Sequence, residues 1–192
     1  MNKLLIKQNI KKGAIVKKLN CLAAAAAILL GLTGCKPGRI QEKGYLRAAA
    51  VTKKNDTFLT LGLFSQEETV TASGANIGSA RDSAELMTGQ EILTGYTELL
   101  IVDGEDCRGM LGYMLNEWRV SPSCLVVYSS DGSALMKELG AEQLIGMTEQ
   151  AVKQGRAPKC DLITVLTELC SSGCAEVAEL DSDGSAGSHV IY

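Results

Sequence analysis

The sequence is poor in histidine and has no apolar run long enough to cross a membrane. His189 is the only histidine among 192 residues, which excludes metal sites built from several histidines. Any Ser–His or Cys–His mechanism would depend on this one side chain near the C-terminus. With 46% apolar and 21% charged residues, the composition argues against disorder. The length is enough for one domain with a short appendage.

The body of the chain lacks the excess of basic residues that a nucleic-acid-binding face needs. Residues 1–34 carry six lysines and no acidic residue. From position 35 onward there are 13 basic and 22 acidic residues, a net charge of −9. Phosphate groups are bound by basic surfaces, so this acidic body argues against a nucleic-acid partner.

The first 34 residues have the order of charge and hydropathy that is typical of an export signal. After the lysines, an apolar run extends over residues 21–32, and its 12 residues are too short to cross a hydrocarbon core of roughly 30 Å as a helix. The length fits the apolar region of a secretory signal. The sequence that follows, Leu32-Thr33-Gly34-Cys35, resembles a bacterial lipobox, in which the cysteine thiol receives a diacylglycerol and cleavage leaves it as the first residue.

This order of segments predicts a lipoprotein signal peptide at 1–34, lipidation of Cys35 and a short lipidated linker at 35–43. Acyl chains such as palmitate contribute about 0.8 kcal/mol per buried methylene, so two or three chains hold a domain stably at a bilayer. The domain is then expected on the outer face of the cytoplasmic membrane. A plain signal peptide, or a hydrophobic anchor with a chance cysteine, is the alternative.

Residues 44–192 have the patterns of a single α/β domain with a central mixed β-sheet flanked by helices. Short apolar runs predict buried strands, and apolar residues at helical spacing predict helices. The predicted strands are 45–52, 57–65, an edge strand at 67–73, 98–102, 124–128, and a closing hairpin of 175–180 and 188–192 around Asp183-Gly184. The predicted helices are 76–92, one that is capped by Asp106 and extends to Trp118, 133–139, 142–154 and 160–170. Strands 98–102 and 124–128 are expected to be parallel neighbours.

Five cysteines follow Cys35, and they are Cys107, Cys124, Cys160, Cys170 and Cys174. An odd number excludes complete pairing within one chain. Cys170 and Cys174 are spaced C-x₃-C rather than C-x-x-C, and no second compact pair completes a zinc site. We expect core thiols at positions 124 and 160, which belong to apolar patterns. A Cys170–Cys174 or Cys160–Cys170 disulfide is the alternative outside the cytoplasm.

The sequence predicts no cofactor and no metal. Residues 74–79 match neither nucleotide-binding fingerprint and are interpreted as a loop that leads into a helix. The acidic pairs Glu67-Glu68 and Glu105-Asp106 fall at expected turns or helix starts, where carboxylates commonly cap helices or are solvated. Residues 181–184 begin like a calcium loop, but their glycine stands at position four of the loop rather than six.

No arrangement of nucleophile and base in the sequence predicts catalysis. Ser83, Ser121 and Ser133 lack a G-x-S-x-G context. His189 falls in a predicted terminal strand, where a structural or exposed position is expected. We therefore expect a protein that is not an enzyme.

Several segments, in the same order, resemble the N-terminal domain of the Ger(x)C family, the lipoprotein C subunits of spore germination receptors. The lipobox is followed by residues 45–51, which look like the family's first strand. The closest segments are 79–92 and the motif Thr94-Gly95-Tyr96-Thr97-Glu98-Leu99-Leu100-Ile101-Val102, in which Tyr96 stands where the family usually has histidine. Residues 109–120 resemble the next helix of the family, 124–128 its next strand, and 156–162 its proline-initiated helix.

The resemblance implies a non-enzymatic subunit of a spore nutrient germinant receptor, anchored through acylated Cys35 at the outer face of the inner spore membrane. The implied partners are the membrane-spanning A and B subunits and the lipid bilayer, and the implied action is protein–protein assembly in germination. A lipid-anchored extracytoplasmic solute-binding protein is the alternative function, and an envelope enzyme is a third. A solute-binding protein usually has two lobes around a cleft, and the 158 residues from Cys35 onward are few for that.

Overall fold

A computed structural model describes residues 43–64, 69–104, 106–181 and 186–192. The predicted signal peptide 1–34, the lipidation site Cys35, the linker up to residue 42, Glu67-Glu68, Glu105 and the predicted turn at Asp183-Gly184 lie outside the described residues. In chain order, the elements are β1 (Lys43–Lys53), β2 (Thr57–Leu63), β3 (Val70–Gly74), α1 (Ile77–Thr88), β4 (Glu91–Leu93), β5 (Leu99–Val102), α2 (Cys107–Asn116), β6 (Leu125–Tyr128), α3 (Gly132–Lys153), α4 (Leu162–Ser171), β7 (Ala175–Leu180) and β8 (Ala186–Ile191).

The described strands form one mixed sheet in the order β3-β2-β1-β5-β6-β7-β8, and the short β4 pairs with the first part of β1. Strands β1, β5, β6 and β7 are parallel, whereas β2, β3 and β8 run antiparallel to the strands that precede them in the chain. Within the described residues, eight strands and four helices confirm the predicted α/β class with a central mixed sheet. We call the edge at which β1, β5 and β6 begin the amino edge, and the opposite edge the carboxyl edge.

Both faces of the sheet are covered by helices. Consecutive residues of β1 and β2 are buried, which requires that side chains pointing to either face are shielded from water. Helix α3 lies on one face, where Ser133 Oγ is 2.7 Å from Thr60 Oγ1. Helix α1 packs against β2 and β3, and α4 packs against β6, β7 and α2. The core is mainly aliphatic, with Trp118 as its largest buried side chain.

Small residues in the centre of the sheet allow α3 to approach it closely. A Cβ atom at Gly62 of β2 would lie 3.1 Å from the Cβ of Ala141. A Cβ atom at Gly132, the first residue of α3, would lie 2.7 Å from Cγ2 of Ile101 and 3.3 Å from the Cβ of Ala50. The beginning of α3 is therefore in van der Waals contact with β1 and β5, and this contact leaves no room for a side chain at position 132.

The predicted helix 76–92 begins as expected and ends earlier. Asn76 is its N-cap, and Asn76 Oδ1 accepts a hydrogen bond of 3.0 Å from Ser79 N–H. Helix α1 ends at Thr88 because Gly89 adopts a φ of 66°, a left-handed conformation that ends helices and that glycine adopts without strain. The residues that follow form β4 beside the beginning of β1.

Other element boundaries also follow from local contacts. Helix α3 spans both predicted helices 133–139 and 142–154, with a break at Gly140, whose φ of 72° and ψ of 162° are not helical. The predicted helix 160–170 begins at Leu162, because the Asp161 carboxylate caps it by accepting from Thr164 N–H. The predicted edge strand 67–73 is β3, which lies at the end of the strand order.

Asp106 occupies the predicted N-cap position of α2, but its side chain makes no capping hydrogen bond. Its backbone has a φ of 46°, and its carboxylate pairs with Lys53 Nζ instead. The side chain therefore links the end of β1 to the start of α2. Helix α2 ends at Asn116, two residues before the predicted end at Trp118.

We predict that Gly132→Ala destabilises the domain by about 1–3 kcal/mol, because the added Cβ overlaps the Ile101 side chain. Gly146→Ala is the matched control in the same helix, where no atom beyond the neighbouring residues and the helix's own backbone lies within 4 Å of the Cβ position. It should stabilise the domain by about 0.5–1 kcal/mol through helix propensity. Urea unfolding of the chain from residue 36 onward measures both, and a Gly132→Ala variant as stable as the parent would contradict the close contact.

Candidate functional site at the amino edge of the sheet

The described chain joins the sheet at Lys43, at the amino edge. Residues Lys43–Tyr45 pair in parallel with β4, and Lys43 Nζ lies 3.1 Å from Glu91 Oε2. On the side of β2, a Cβ atom at the buried Gly44 would lie 3.2 Å from Cδ1 of Leu63. The first residues of β1 are therefore held on both sides. The described part of the chain therefore begins at this edge.

Three aromatic side chains gather around the start of β1. The Phe64 N–H donates a hydrogen bond of 2.9 Å to the Tyr45 carbonyl. Tyr45 and Tyr96 meet edge to face with ring centroids 5.4 Å apart, a geometry that the charge distribution of aromatic rings favours. The guanidinium carbon of Arg47 lies 5.0 Å from the centroid of the Phe64 ring, within cation–π range. We call Tyr45, Arg47, Phe64 and Tyr96 the edge surface.

The edge surface is open to solvent although it is rich in aromatic carbon. Phe64 is 51% exposed and Tyr96 is 62% exposed. Single exposed apolar side chains are common on protein surfaces and need no explanation. The tyrosine pair and the phenylalanine that contacts Arg47 are instead of the residue types enriched at protein contact sites. The edge surface is therefore the candidate functional site of the domain.

Arg47 carries the positive charge of the edge surface and contacts two carboxylates. Its Nη1 lies 3.3 Å from Glu142 Oε2, and its Nε lies 3.6 Å from Glu98 Oε1. The pairing register of β1 with β2 shifts between Leu46 and Ala48, so Arg47 lies in a β-bulge. A bulge bends a strand and redirects its side chains, which here brings the guanidinium to Phe64 and to α3. Exposed ion pairs add little stability, so their effect is mainly on orientation.

Tyr96 is presented by a tight turn whose neighbouring threonines are buried. The Thr97 N–H and Thr97 Oγ1 both donate to the Thr94 carbonyl, at 3.1 and 2.6 Å. Thr94 Oγ1 donates to the Trp118 carbonyl at 2.7 Å. These bonds anchor both ends of the turn, so that Gly95 and Tyr96 form its exposed corner. In the motif that resembles the central block of the Ger(x)C family, the buried threonines Thr94 and Thr97 therefore hold the ring of Tyr96 in an exposed position.

Two adjoining cavities lie along the same edge. Their volumes are about 340 and 550 Å³, and both are lined by Ser123, Leu125 and Glu149. The first cavity also includes Tyr96, and the second extends to Ile163 at the start of α4. They share these three lining residues and so form one groove beside the edge surface.

The described cysteines are all unpaired, and neither of the alternative disulfides is formed among them. Burial raises the pKa of Cys107 to about 12, and the nearby Asp103 carboxylate acts in the same direction. Burial also raises the pKa of Cys124 and of Cys160, both of which are in the core as expected. Because the thiolate is the reactive form, these three thiols are inert in the folded chain.

His189 packs against an aromatic ring. Its imidazole is parallel to the Tyr128 ring with centroids 3.5 Å apart, and its Nδ1 lies 3.7 Å from Glu179 Oε1. Ser83 Oγ donates to the Ser79 carbonyl at 2.9 Å, and Ser133 Oγ contacts Thr60. The structure gives His189 and these serines separate partners, and each contact serves packing or helix ends.

The loop 74–79 forms a helix cap, as interpreted from the sequence. Asn76 and Ser79 form a reciprocal capping box, in which the Asn76 N–H donates to Ser79 Oγ at 3.1 Å. A cleft of about 310 Å³ beside the loop is lined by Lys53, Asp106 and Tyr113, among others. Lys53 and Asp106 are in contact with each other in this cleft.

Among the residues that the structure describes, no three His, Cys, Asp or Glu side chains are placed to share a metal ion. Within the same ranges, no helix combines the length and the apolar character that a membrane span requires.

No protein family model, no curated protein and no solved structure matches the chain.

The sequence does not reveal the edge surface as a group. The family resemblance draws attention to Tyr96, and the alternation in residues 57–65 places Phe64 at the end of a strand. The bulge at Arg47, which brings the guanidinium to Phe64, depends on strand pairing and has no signature in the sequence. The resemblance at Tyr96 and the aromatic residue at the end of a predicted strand are the two signals that point towards this surface.

We predict that Thr94→Val lowers the free energy of unfolding by about 1–3 kcal/mol, because the buried Trp118 carbonyl loses its donor. Thr167→Val is the matched control, since Thr167 Oγ1 also donates to a main-chain carbonyl at 2.7 Å but on an exposed surface. Water can replace that donor, and the change should stay within about 0.5 kcal/mol. Thermal unfolding compares the two variants, and equal effects would be inconsistent with a buried, anchored turn.

We predict that a thiol reagent reacts rapidly with Cys170 and Cys174 in the folded chain from residue 36 onward, because these two cysteines are not in the core. The three buried cysteines should react only after unfolding in guanidinium. Absorbance of the released chromophore counts the reactive thiols. Rapid reaction of a third thiol in the folded chain would contradict the burial of the three core cysteines.

Proposed function

We propose that the chain is a membrane-anchored lipoprotein subunit of a spore nutrient germinant receptor, and that it acts through protein–protein assembly in spore germination. The observation that carries the proposal is the lipobox Leu32-Thr33-Gly34-Cys35 behind a basic and an apolar segment, followed by the ordered segments that resemble the Ger(x)C family. An α/β domain whose first strand begins at Lys43 fits this arrangement.

Cys35 is the proposed anchor. Its thiol is joined to a diacylglycerol, and the amino group that cleavage frees takes a further acyl chain such as palmitate. Each buried methylene contributes about 0.8 kcal/mol, so two or three chains hold the protein at the bilayer without a membrane-spanning helix. The domain then lies on the outer face of the cytoplasmic membrane, which is the inner membrane of the spore.

The domain is proposed to act by contact, with the membrane-spanning A and B subunits as its partners. Side chains that a hydrolytic mechanism would use have structural partners, since His189 stacks on Tyr128 and Ser133 contacts Thr60. The thiol of Cys107 is buried, with its pKa raised to about 12, which keeps it protonated at neutral pH. These contacts support a role in assembly, in which the domain acts by contact with its partners.

The two adjoining cavities favour a second candidate, a lipid-anchored extracytoplasmic solute-binding protein. Their volumes of about 340 and 550 Å³ are in the range of small-ligand sites. A solute would then be held at the edge of one domain, between α3 and the beginnings of β5 and β6.

We predict that Cys35→Ala abolishes incorporation of labelled palmitate and releases the protein from the membrane or leaves its precursor uncleaved. Spores that carry this variant should germinate poorly on nutrients, because the subunit is no longer held beside its partners. Cys21→Ala is the matched control, since Cys21 lies in the apolar region that is removed with the signal. Labelling, membrane fractionation and the fall in optical density of germinating spores are the measurements.

Palmitate incorporation into Cys35→Ala at the level of the parent would refute the anchor. Spores without the chain that germinate like the parent on every nutrient would refute the receptor role. Loss of uptake of one solute in that strain, with normal germination, would favour the solute-binding candidate.

A further inference from the structure

We propose that the edge surface lies against the lipid headgroups of the membrane in which Cys35 is anchored. The inference rests on the proposed lipidation of Cys35 and goes beyond it, because it fixes which side of the domain faces the bilayer. Its occupant is an anionic phospholipid surface. A membrane protein partner at the same place is the competing outcome of the test.

The length of the tether limits how far the start of β1 can be from the lipid. Cys35 and Lys43 are eight residues apart, and a fully extended chain spans at most about 28 Å over that distance. β1 has 11 residues and places the carboxyl edge about 35 Å beyond its start. The amino edge is therefore the side of the domain that the anchor holds near the bilayer.

The side chains at this edge have the chemistry of residues that settle in the headgroup layer. Tyr and Phe place an apolar ring at the hydrocarbon boundary, and the Tyr hydroxyl stays in contact with water. Phe64 and Tyr96 are exposed and both contact the first residues of β1. Leu86 is 85% exposed in the last turn of α1, which leads through Gly89 into β4 beside Lys43. An exposed aliphatic side chain thus extends the aromatic group at the same edge.

The charges near the anchor favour anionic lipid. Lys36, Arg39 and Lys43 outnumber the one acidic residue, Glu42, between Cys35 and the start of β1, and basic residues next to a membrane attract anionic headgroups. Arg47 lies between the carboxylates of Glu98 and Glu142. Its positive charge reduces the repulsion between these carboxylates and an anionic lipid surface. Glu91, Glu98 and Glu142 contact Lys43 or Arg47, so the basic excess that attracts anionic lipid belongs to the segment next to the anchor.

The chain offers a matched pair of reporters on one strand. Phe58 and Phe64 are its two phenylalanines, 41% and 51% exposed, and they lie at opposite ends of β2 about 20 Å apart. Phe64→Trp reports on the amino edge and Phe58→Trp on the carboxyl edge. Trp118 is buried and contributes the same background to both variants. Tyr96→Trp is a second amino-edge reporter in case Phe64→Trp perturbs folding.

The experiment uses the full chain, lipidated in a bacterial host and reconstituted into vesicles of phosphatidylcholine and phosphatidylglycerol. The acyl chains are brominated near the headgroup in one set of vesicles, because bromine quenches tryptophan on contact. We expect Phe64→Trp and Tyr96→Trp to lose fluorescence in brominated vesicles and to emit at shorter wavelength. Phe58→Trp should keep its intensity.

Equal quenching of Phe58→Trp and Phe64→Trp, or quenching of neither, in protein that carries labelled palmitate would overturn the inference and leave the proposed function standing. A Phe64→Trp emission that shifts only in membranes of the native cell, and not in pure lipid vesicles, would assign the edge surface to a protein partner and also overturn it. Protein without palmitate would refute both the proposed function and this inference, since the tether argument would fail.

Discussion

The pairing of β1 on both of its sides is the constraint on which the rest of the domain depends. β2 pairs along one side, whereas β4 and then β5 pair along the other. Its central alanines carry so little side chain that α3 approaches β1 and β5 in direct contact at Gly132. One end of the strand lies in the edge surface, and the other end reaches Asp106 through Lys53. The edge surface and the contact between Lys53 and Asp106 therefore lie at the two ends of one central strand.

Buried strands and helix starts were predictable because their causes are local. The apolar runs at 98–102 and 124–128 correspond to β5 and β6, since a strand covered on both faces carries apolar side chains at successive positions. The helix cap formed by Asn76 and Ser79 is also predictable, because a capping box joins residues only three positions apart in the sequence. β4 could not be predicted, because three residues gain stability as a strand only where Gly89 ends the helix and β1 offers an unpaired side.

The edge surface is a product of tertiary structure. Three of the eight aromatic residues in this aromatic-poor chain are members of it, although they are far apart in the sequence. Pairing of β1 with β2 brings the main chain of Phe64 to that of Tyr45, and the buried threonine turn before β5 brings the Tyr96 ring to the Tyr45 ring. Asp106 is similar, because its left-handed backbone and its contact with Lys53 depend on where β1 ends. Such contacts depend on strand pairing and have no local pattern in the sequence.

We propose that a lipid on Cys35 tethers this domain to the outer face of the membrane. Mass spectrometry can identify the first residue of the mature chain, and the groups attached to it, in protein purified from membranes of the native cell. Cys35 is expected as the first residue, with a diacylglycerol on its sulfur and an acyl chain on its amino group. A mature chain that begins at another residue, or an unmodified thiol at Cys35, would refute the tether.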